Sequence, residues 1–254
     1  MLLAIDCGNT NVVFAVYAGD ELRGQWRAAT KTDRTADEYG VWLTQLLERD
    51  GIAPSHITHA IVASVVPGKN FDLRKLCEDY FQCKPRFIGD ADLELGVAIR
   101  VDSPGSDRII NAIAAHATYG GPLIVIDFGT ATTFDVVDAT GAYRGGCIAP
   151  GINLSMEALH MATAQLPRLP VVNPGNAPVI GTTTVAAMTS GVFWGYIGLI
   201  EGLTARIKAE QKEIKTVVAT GGLAPLFAEA TKVIEHIDPD LTLRGLLQVH
   251  KRNN

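Results

Sequence analysis

The chain opens with a short apolar run, Leu2-Leu3-Ala4-Ile5, ended by Asp6 and then Gly8. A run of this length bounded by turn formers predicts a buried strand. Residues 11–17, rich in valine, and residues 21–28, after the Gly19-Asp20 turn, predict two more strands of a meander. From residue 35 to 49 the apolar spacing becomes helical, with Tyr39, Trp42, Leu43, Leu46 and Leu47 on one side and Gly51 beyond the end. Residues 60–64 and 85–88 predict short strands. Residues 71–81 and 106–119 predict helices, the second with an apolar stripe through Ile109, Ile110 and Ile113.

The pattern then restarts. Residues 123–126 form an apolar run ended by Asp127, and strands follow at 132–137 and 142–149. Helices are expected at 152–165 and 183–210, a strand at 216–219 running into Thr220-Gly221-Gly222, and helices at 225–231 and near 241–250. Leu3-Ala4-Ile5-Asp6-Cys7-Gly8-Asn9-Thr10 is similar to Ile124-Val125-Ile126-Asp127-Phe128-Gly129-Thr130-Ala131, an offset of 127 − 6 = 121 residues. The same motif in the same strand context, near half-length, reads as an internal repeat. It predicts two similar α/β domains, residues 1–118 and 119–254.

Composition narrows the class. The 254 residues carry 22 Lys plus Arg against 27 Asp plus Glu, a net charge of −5, and are 47% hydrophobic. That is a globular chain rather than a disordered one. Its mild acidity argues against a nucleic-acid binder, which needs a basic face. Cys7, Cys77, Cys83 and Cys147 form no C-x-x-C pair, and the N-terminus has no basic leader, so reduced thiols in a cytoplasmic protein are expected. No Asp, Glu, Lys or Arg occurs from Leu169 to Ile200, but Asn, Pro and Gly interrupt that stretch. A buried helix is expected there rather than a membrane span, with Gly191, Gly195, Gly198 and Gly202 where another backbone comes close or at a subunit interface.

A buried strand ending in Asp-x-Gly has a chemical use. Glycine lets the backbone turn tightly beside a ligand, and amide groups in such a turn can cradle an anion. Asn9, Thr10, Thr130, Thr132 and Thr133 add side-chain donors. Taken singly, Asp-x-Gly-x-Thr is an ordinary hairpin. Two copies favour a phosphate clamp, with Asp6 and Asp127 placed to meet a metal ion. Gly221-Gly222, at a third strand end, would admit a flat group such as a nucleobase.

These motifs, in this order, resemble the superfamily of acetate and sugar kinases, heat-shock chaperones and actin, and within it the type III pantothenate kinases. The resemblance is carried by Ile5-Asp6-Cys7-Gly8-Asn9-Thr10-Asn11, Gly105-Ser106-Asp107-Arg108, Asp127-Phe128-Gly129-Thr130-Ala131-Thr132-Thr133, Gly145-Gly146-Cys147-Ile148-Ala149-Pro150-Gly151 and Ala219-Thr220-Gly221-Gly222-Leu223. It runs from about residue 2 to about residue 248. It implies a homodimer of two ribonuclease-H-like domains per chain with a nucleotide cleft between them, ATP-dependent phosphorylation of pantothenate on the way to coenzyme A, Mg²⁺, and a monovalent cation, K⁺ or NH₄⁺. By matching positions, Asp6, Cys7, Gly8, Asn9, Thr10, Asn11, Val12 and Val13 would form the first phosphate loop, with Asp6 near Mg²⁺, directly or through water. Gly129, Thr130, Thr132, Gly221 and Gly222 would meet ATP, and Asp127 the monovalent cation. Gly105, Ser106, Asp107 and Arg108 would bind pantothenate, with Asp107 as the base and Arg108 able to pair with the substrate carboxylate. Thr184 would contact pantothenate held by the neighbouring subunit.

Three departures from the family pattern fall on the acceptor side: about three residues fewer before Gly105, Val101 where many members have Tyr, and Thr183 in place of Asn. They keep open a non-catalytic regulatory relative that binds nucleotide, or a kinase of another small hydroxy acid.

Overall fold

Each apolar run becomes a strand. In the computed structural model, which describes residues 1–254, Leu2–Cys7 (β1), Asn11–Ala18 (β2) and Glu21–Ala29 (β3) form an antiparallel meander. Ala36–Arg49 (α1) follows. It starts at a capping box in which the Thr35 hydroxyl accepts from the Glu38 N–H at 3.3 Å and the Thr35 N–H donates to the Glu38 carboxylate at 2.8 Å. His59–Ser64 (β4) pairs parallel with β1, Asn70–Phe81 (α2) packs beside α1, and Pro85–Phe87 (β5) closes a five-stranded sheet in the order β3-β2-β1-β4-β5. Ser106–Tyr119 (α3) comes next.

The second sheet repeats the first. Leu123–Phe128 (β6), Ala131–Val137 (β7) and Tyr143–Pro150 (β8) form the meander, Ile152–Met161 (α4) and Thr184–Glu210 (α5) follow, and Thr216–Thr220 (β9) pairs parallel with β6. Ala224–Ala228 (α6) leads to His236–Ile237 (β10), a two-residue strand outside the sequence expectations, and the order is β10-β9-β6-β7-β8. Asp6 faces Val13 across its hairpin and Asp127 faces Thr133. The offset is therefore 121 on the first strand and 133 − 13 = 120 on the second, so the second turn is one residue shorter. Both hairpins carry an irregularity at equivalent places, Val16/Tyr17 and Val136/Val137, and Phe14 and Phe134 are equivalent, fully buried core residues.

The chain divides into two compact units: 1–97 with 102–114 and 240–254, and 98–101 with 115–239. The sequence division at 118/119 differs from this most at the C-terminus. Leu241–Arg252 (α7) packs on β1 through Leu241, Leu243, Leu246, Leu247 and Val249, and an added Cβ on Gly245 would lie 2.1 Å from Ile110 Cγ2 on α3. Burying that stripe assigns the last helix to the first unit. The first core gathers Leu3, Ile5, Phe14, Leu43 and Leu73, and the second Ile124, Ile126, Phe134, Phe193 and Phe227. No helix is long and apolar enough to cross a membrane. The expected close approach at Gly191, Gly195 and Gly198 does not occur within the chain, since an added Cβ there meets nothing within 4 Å. Helix α4 stops at Met161 rather than 165, where the Thr163 hydroxyl turns back onto the Leu159 carbonyl at 3.0 Å.

Candidate active site

In the first unit the chemistry gathers at the C-terminal ends of β1 and β4. Asp6 is half-buried near the end of β1, and the turn Gly8-Asn9-Thr10 follows with Asn9 and Thr10 exposed. The Gly8 N–H closes the turn onto the Asn11 carbonyl at 3.0 Å. Thr30, just past β3, braces it twice: its hydroxyl donates to the Gly8 carbonyl at 2.7 Å and its N–H to the Thr10 carbonyl at 2.9 Å. The structure divides the expected loop of residues 6–13. Asp6, Gly8, Asn9, Thr10 and Asn11 are at least partly exposed, whereas the side chains of Cys7, Val12 and Val13 lie in the core. Burial pushes the Cys7 thiol up to about 11, with a smaller opposing effect from its hydrogen bond with Ser64, so it stays protonated at neutral pH.

Helix α3 begins beside the same strand ends. Ser64 pairs with Cys7 across β1 and β4, and the Ser106 hydroxyl donates to the Ser64 carbonyl at 3.1 Å. Asp107 is thereby held in the first helical turn, where the helix dipole favours a carboxylate. Its Oδ1 accepts from the Arg108 N–H at 2.8 Å. An added Cβ on Gly105 would lie 2.5 Å from that same Oδ1. Glycine at 105 is what lets the carboxylate occupy this position. Gly105, Ser106, Asp107 and Arg108 are thus local to one helix start.

In the second unit Asp127 is half-buried, facing Thr133 on β7 and Thr220 on β9. Gly129 and Thr130 form the exposed turn, and the Gly151 N–H donates to the Thr130 carbonyl at 3.1 Å. Gly221 has φ +89°, and an added Cβ there would lie 2.6 Å from the Phe128 carbonyl oxygen and 2.8 Å from Asp127 Oδ1. Gly222 beside it is exposed with nothing near an added Cβ.

Thr132 needs correction as a ligand contact. It is 1% exposed, and its hydroxyl is engaged with the Tyr196 hydroxyl. Alternation along β7 places it on the face of Phe134 and Val136, toward the core. Asp135, not singled out from the sequence, is fully buried, and accepts from the Tyr143 hydroxyl at 2.8 Å and the Thr133 hydroxyl at 2.9 Å. A lone acid inside a β-branched run was the available signal. Thr183 caps α5, accepting from the Ala186 N–H at 3.2 Å, and Thr184 is the exposed first residue of that helix. In the segment before Gly105, the Tyr143 N–H donates to the Ala98 carbonyl at 2.9 Å and the Arg100 N–H to the Tyr143 carbonyl at 3.0 Å.

The donor sets suit hard cations. Mg²⁺ is normally held by one or two carboxylates, water and substrate phosphates. Asp6, half-buried near the end of β1, is a carboxylate of this kind by its chemistry. Glycine at 221 lets this backbone pack against the end of β6, because an added Cβ would collide with the Phe128 carbonyl oxygen and the Asp127 carboxylate.

Two sheets of identical topology, each ending its first strand in Asp-x-Gly, define the ribonuclease-H-like fold of the actin-like ATPases. The fold of the (R)-2-hydroxyglutaryl-CoA dehydratase component A of Acidaminococcus fermentans is similar, with a TM-score of 0.57 at 16% identity over 98% of this chain and 95% of that one. The profile of the type III pantothenate kinase family matches residues 2–206. The chain is 63% identical over its whole length to a type III pantothenate kinase of Paramagnetospirillum magneticum, covering 98% of that protein, and 60% identical to one of Rhodospirillum rubrum, covering 99%. The chain belongs to the type III pantothenate kinase family, kinases that phosphorylate pantothenate in the first step of coenzyme A biosynthesis.

Proposed function

We propose that this chain transfers the γ-phosphoryl group of ATP to the primary alcohol of pantothenate, giving 4′-phosphopantothenate and ADP, with Asp107 as the base. The observation that carries the assignment of the base is the Asp107 carboxylate, accommodated by Gly105 and tied through Ser106 to the strand end beside the Gly8–Thr10 turn. A carboxylate at this place accepts the hydroxyl proton as the oxygen bonds to phosphorus and the bond to the ADP oxygen breaks.

Gly8, Asn9 and Thr10 would contact phosphate oxygens, and so would Gly129 and Thr130. Gly221 and Gly222 leave room for the nucleoside. Mg²⁺ at Asp6 supplies charge neutralisation of the phosphates. Asp127 would hold the monovalent cation, K⁺ or NH₄⁺, and Arg108 would pair with the substrate carboxylate. The working form is a homodimer in the cytoplasm, with Thr184 reaching pantothenate held by the partner subunit.

The test is ADP release with ATP, Mg²⁺ and K⁺, with and without pantothenate, with Na⁺ replacing K⁺ as a control. Turnover that needs pantothenate and K⁺, and is lost in Asp107→Asn with ATP affinity kept within a few-fold, is expected. Asp107→Asn retaining most turnover overturns the base. ATP binding without pantothenate-dependent turnover overturns the acceptor.

A further inference from the structure

Lys69 is 1% exposed and among the largest fully buried side chains, yet it carries a charge. It ends a single turn of 3₁₀ helix, Pro67–Lys69, between β4 and α2. Its ammonium donates to the Arg34 carbonyl at 2.6 Å and to Asp72 Oδ2 at 2.9 Å. Burying the Lys69 ammonium beside a partly exposed Asp72 contributes little stability compared with an apolar side chain of the same volume, because the ammonium loses its water. A role beyond packing is the better account of a buried lysine.

The segment that Lys69 grips is informative. Arg34 ends the connection from Thr30 to α1, and its guanidinium lies over the rings of Tyr39 at 4.5 Å and Trp42 at 5.3 Å. Thr30 begins that connection and binds two carbonyls of the first turn, those of Gly8 and Thr10. A continuous path therefore runs from the Lys69 ammonium to the Arg34 carbonyl, along five residues to Thr30, and on to Gly8 and Thr10. Both ends are fixed by hydrogen bonds within the first unit.

We propose that Lys69 is a positioning residue for nucleotide binding, holding the Thr30–Arg34 segment so that Thr30 keeps the Gly8–Thr10 turn in its ligand-ready shape. This rests on that turn being the phosphate site. Lys69→Met should raise KM for ATP about tenfold, leaving kcat and KM for pantothenate within twofold, because a loosened turn loses uniform phosphate binding. Thr30→Val breaks the same path without unpairing a buried charge and remains testable if Lys69→Met fails to fold; it should raise KM for ATP by a similar factor. The double variant should be no worse than the weaker single by more than twofold, since both act on one element.

If folded Lys69→Met lowers Tm but keeps KM for ATP within twofold, Lys69 is structural and the proposal falls. If Lys69→Met does not fold and Thr30→Val keeps KM for ATP within twofold, it falls as well. Gly8→Ala tests the turn by itself, because its new Cβ meets only the Asn11 carbonyl, at 3.4 Å. An unchanged KM for ATP in that variant removes the phosphate-site reading and the proposal with it, a result distinct from failure at Lys69 alone.

Discussion

Gly105→Ala puts a methyl group where the Asp107 carboxylate now sits. The new Cβ would lie 2.5 Å from Asp107 Oδ1, and the next atom outside that carboxyl, Val65 Cγ1, is 3.6 Å away. Ordinary contact begins near 3.4 Å, so the carboxylate must retreat by 3.4 − 2.5 = 0.9 Å. The fold has little reason to object. The φ of Gly105 lies outside the left-handed region and the obstacle is the end of a side chain. Restricting the unfolded chain even adds about 0.4–1 kcal/mol of stability. Proton transfer, in contrast, is sensitive to displacements of this size, and a 1 Å misplacement costs up to about 100-fold. A fall in kcat of about 10- to 100-fold, about 1.4–2.8 kcal/mol of barrier, is expected with Tm unchanged or raised and ATP affinity intact. Pantothenate-dependent ADP release at saturating substrates, with a thermal melt on the same preparation, measures both. Full kcat in the folded variant would refute Asp107 as the proton acceptor. A collapse of Tm would refute the steric reasoning.

Gly151→Ala meets a harder obstacle, backbone rather than side chain. Its Cβ would lie 2.3 Å from the Thr130 carbonyl oxygen and 2.7 Å from that of Gly129, so the second turn must shift. A loss of about 1–3 kcal/mol in denaturant unfolding and a raised KM for ATP are expected. Thr35→Ala removes the α1 capping box and should cost about 1 kcal/mol by the same unfolding measurement, with kcat unchanged. Burial first, then the neighbouring His59 and the amino terminus, hold the His250 imidazole below its ordinary value. The unfolded chain therefore takes up this proton at higher pH than the native one. The stability His250 contributes is complete above about pH 6.5 and declines as pH falls through that value toward the folded pKa. Thermal melts from pH 8 to 5 should show a shallower acid slope in His250→Gln, and an unchanged slope would remove His250 as its source.

The strand order was legible because both sheets are built from unmistakable apolar runs, and the repeat was legible because Asp-x-Gly recurs at the same strand ends. The turn lengths were not. The short motif gives one offset, and only the hairpin registers, Asp6 with Val13 and Asp127 with Thr133, show the second turn one residue tighter. Alternation with Phe134 and Val136 already points the Thr132 side chain inward, although a hydroxyl beside a glycine turn suggests a ligand contact. Strand β10 is two exposed residues with no pattern to find. Lys69 was invisible for a deeper reason. A lysine in a Pro-Gly-Lys-Asn stretch reads as solvated surface, and its burial depends on Arg34, 35 residues earlier.

The residue following the third strand shows how the two halves differ around one scaffold. Thr30 and Gly151 are equivalent positions, and each donates its backbone N–H to the last carbonyl of its own turn, Thr10 or Thr130. That bond comes from sheet geometry and is common to both halves. What differs is the space behind it. At Gly151 the turn's carbonyls approach so closely that no side chain fits, and the turn is held by backbone against backbone. At Thr30 there is room for a hydroxyl, which donates to the Gly8 carbonyl as well and gives the longer first turn a second anchor. A side-chain anchor is only as fixed as the segment that carries it. In the first half that segment ends at Arg34, whose carbonyl accepts from the buried ammonium of Lys69 while its guanidinium lies over Tyr39 and Trp42.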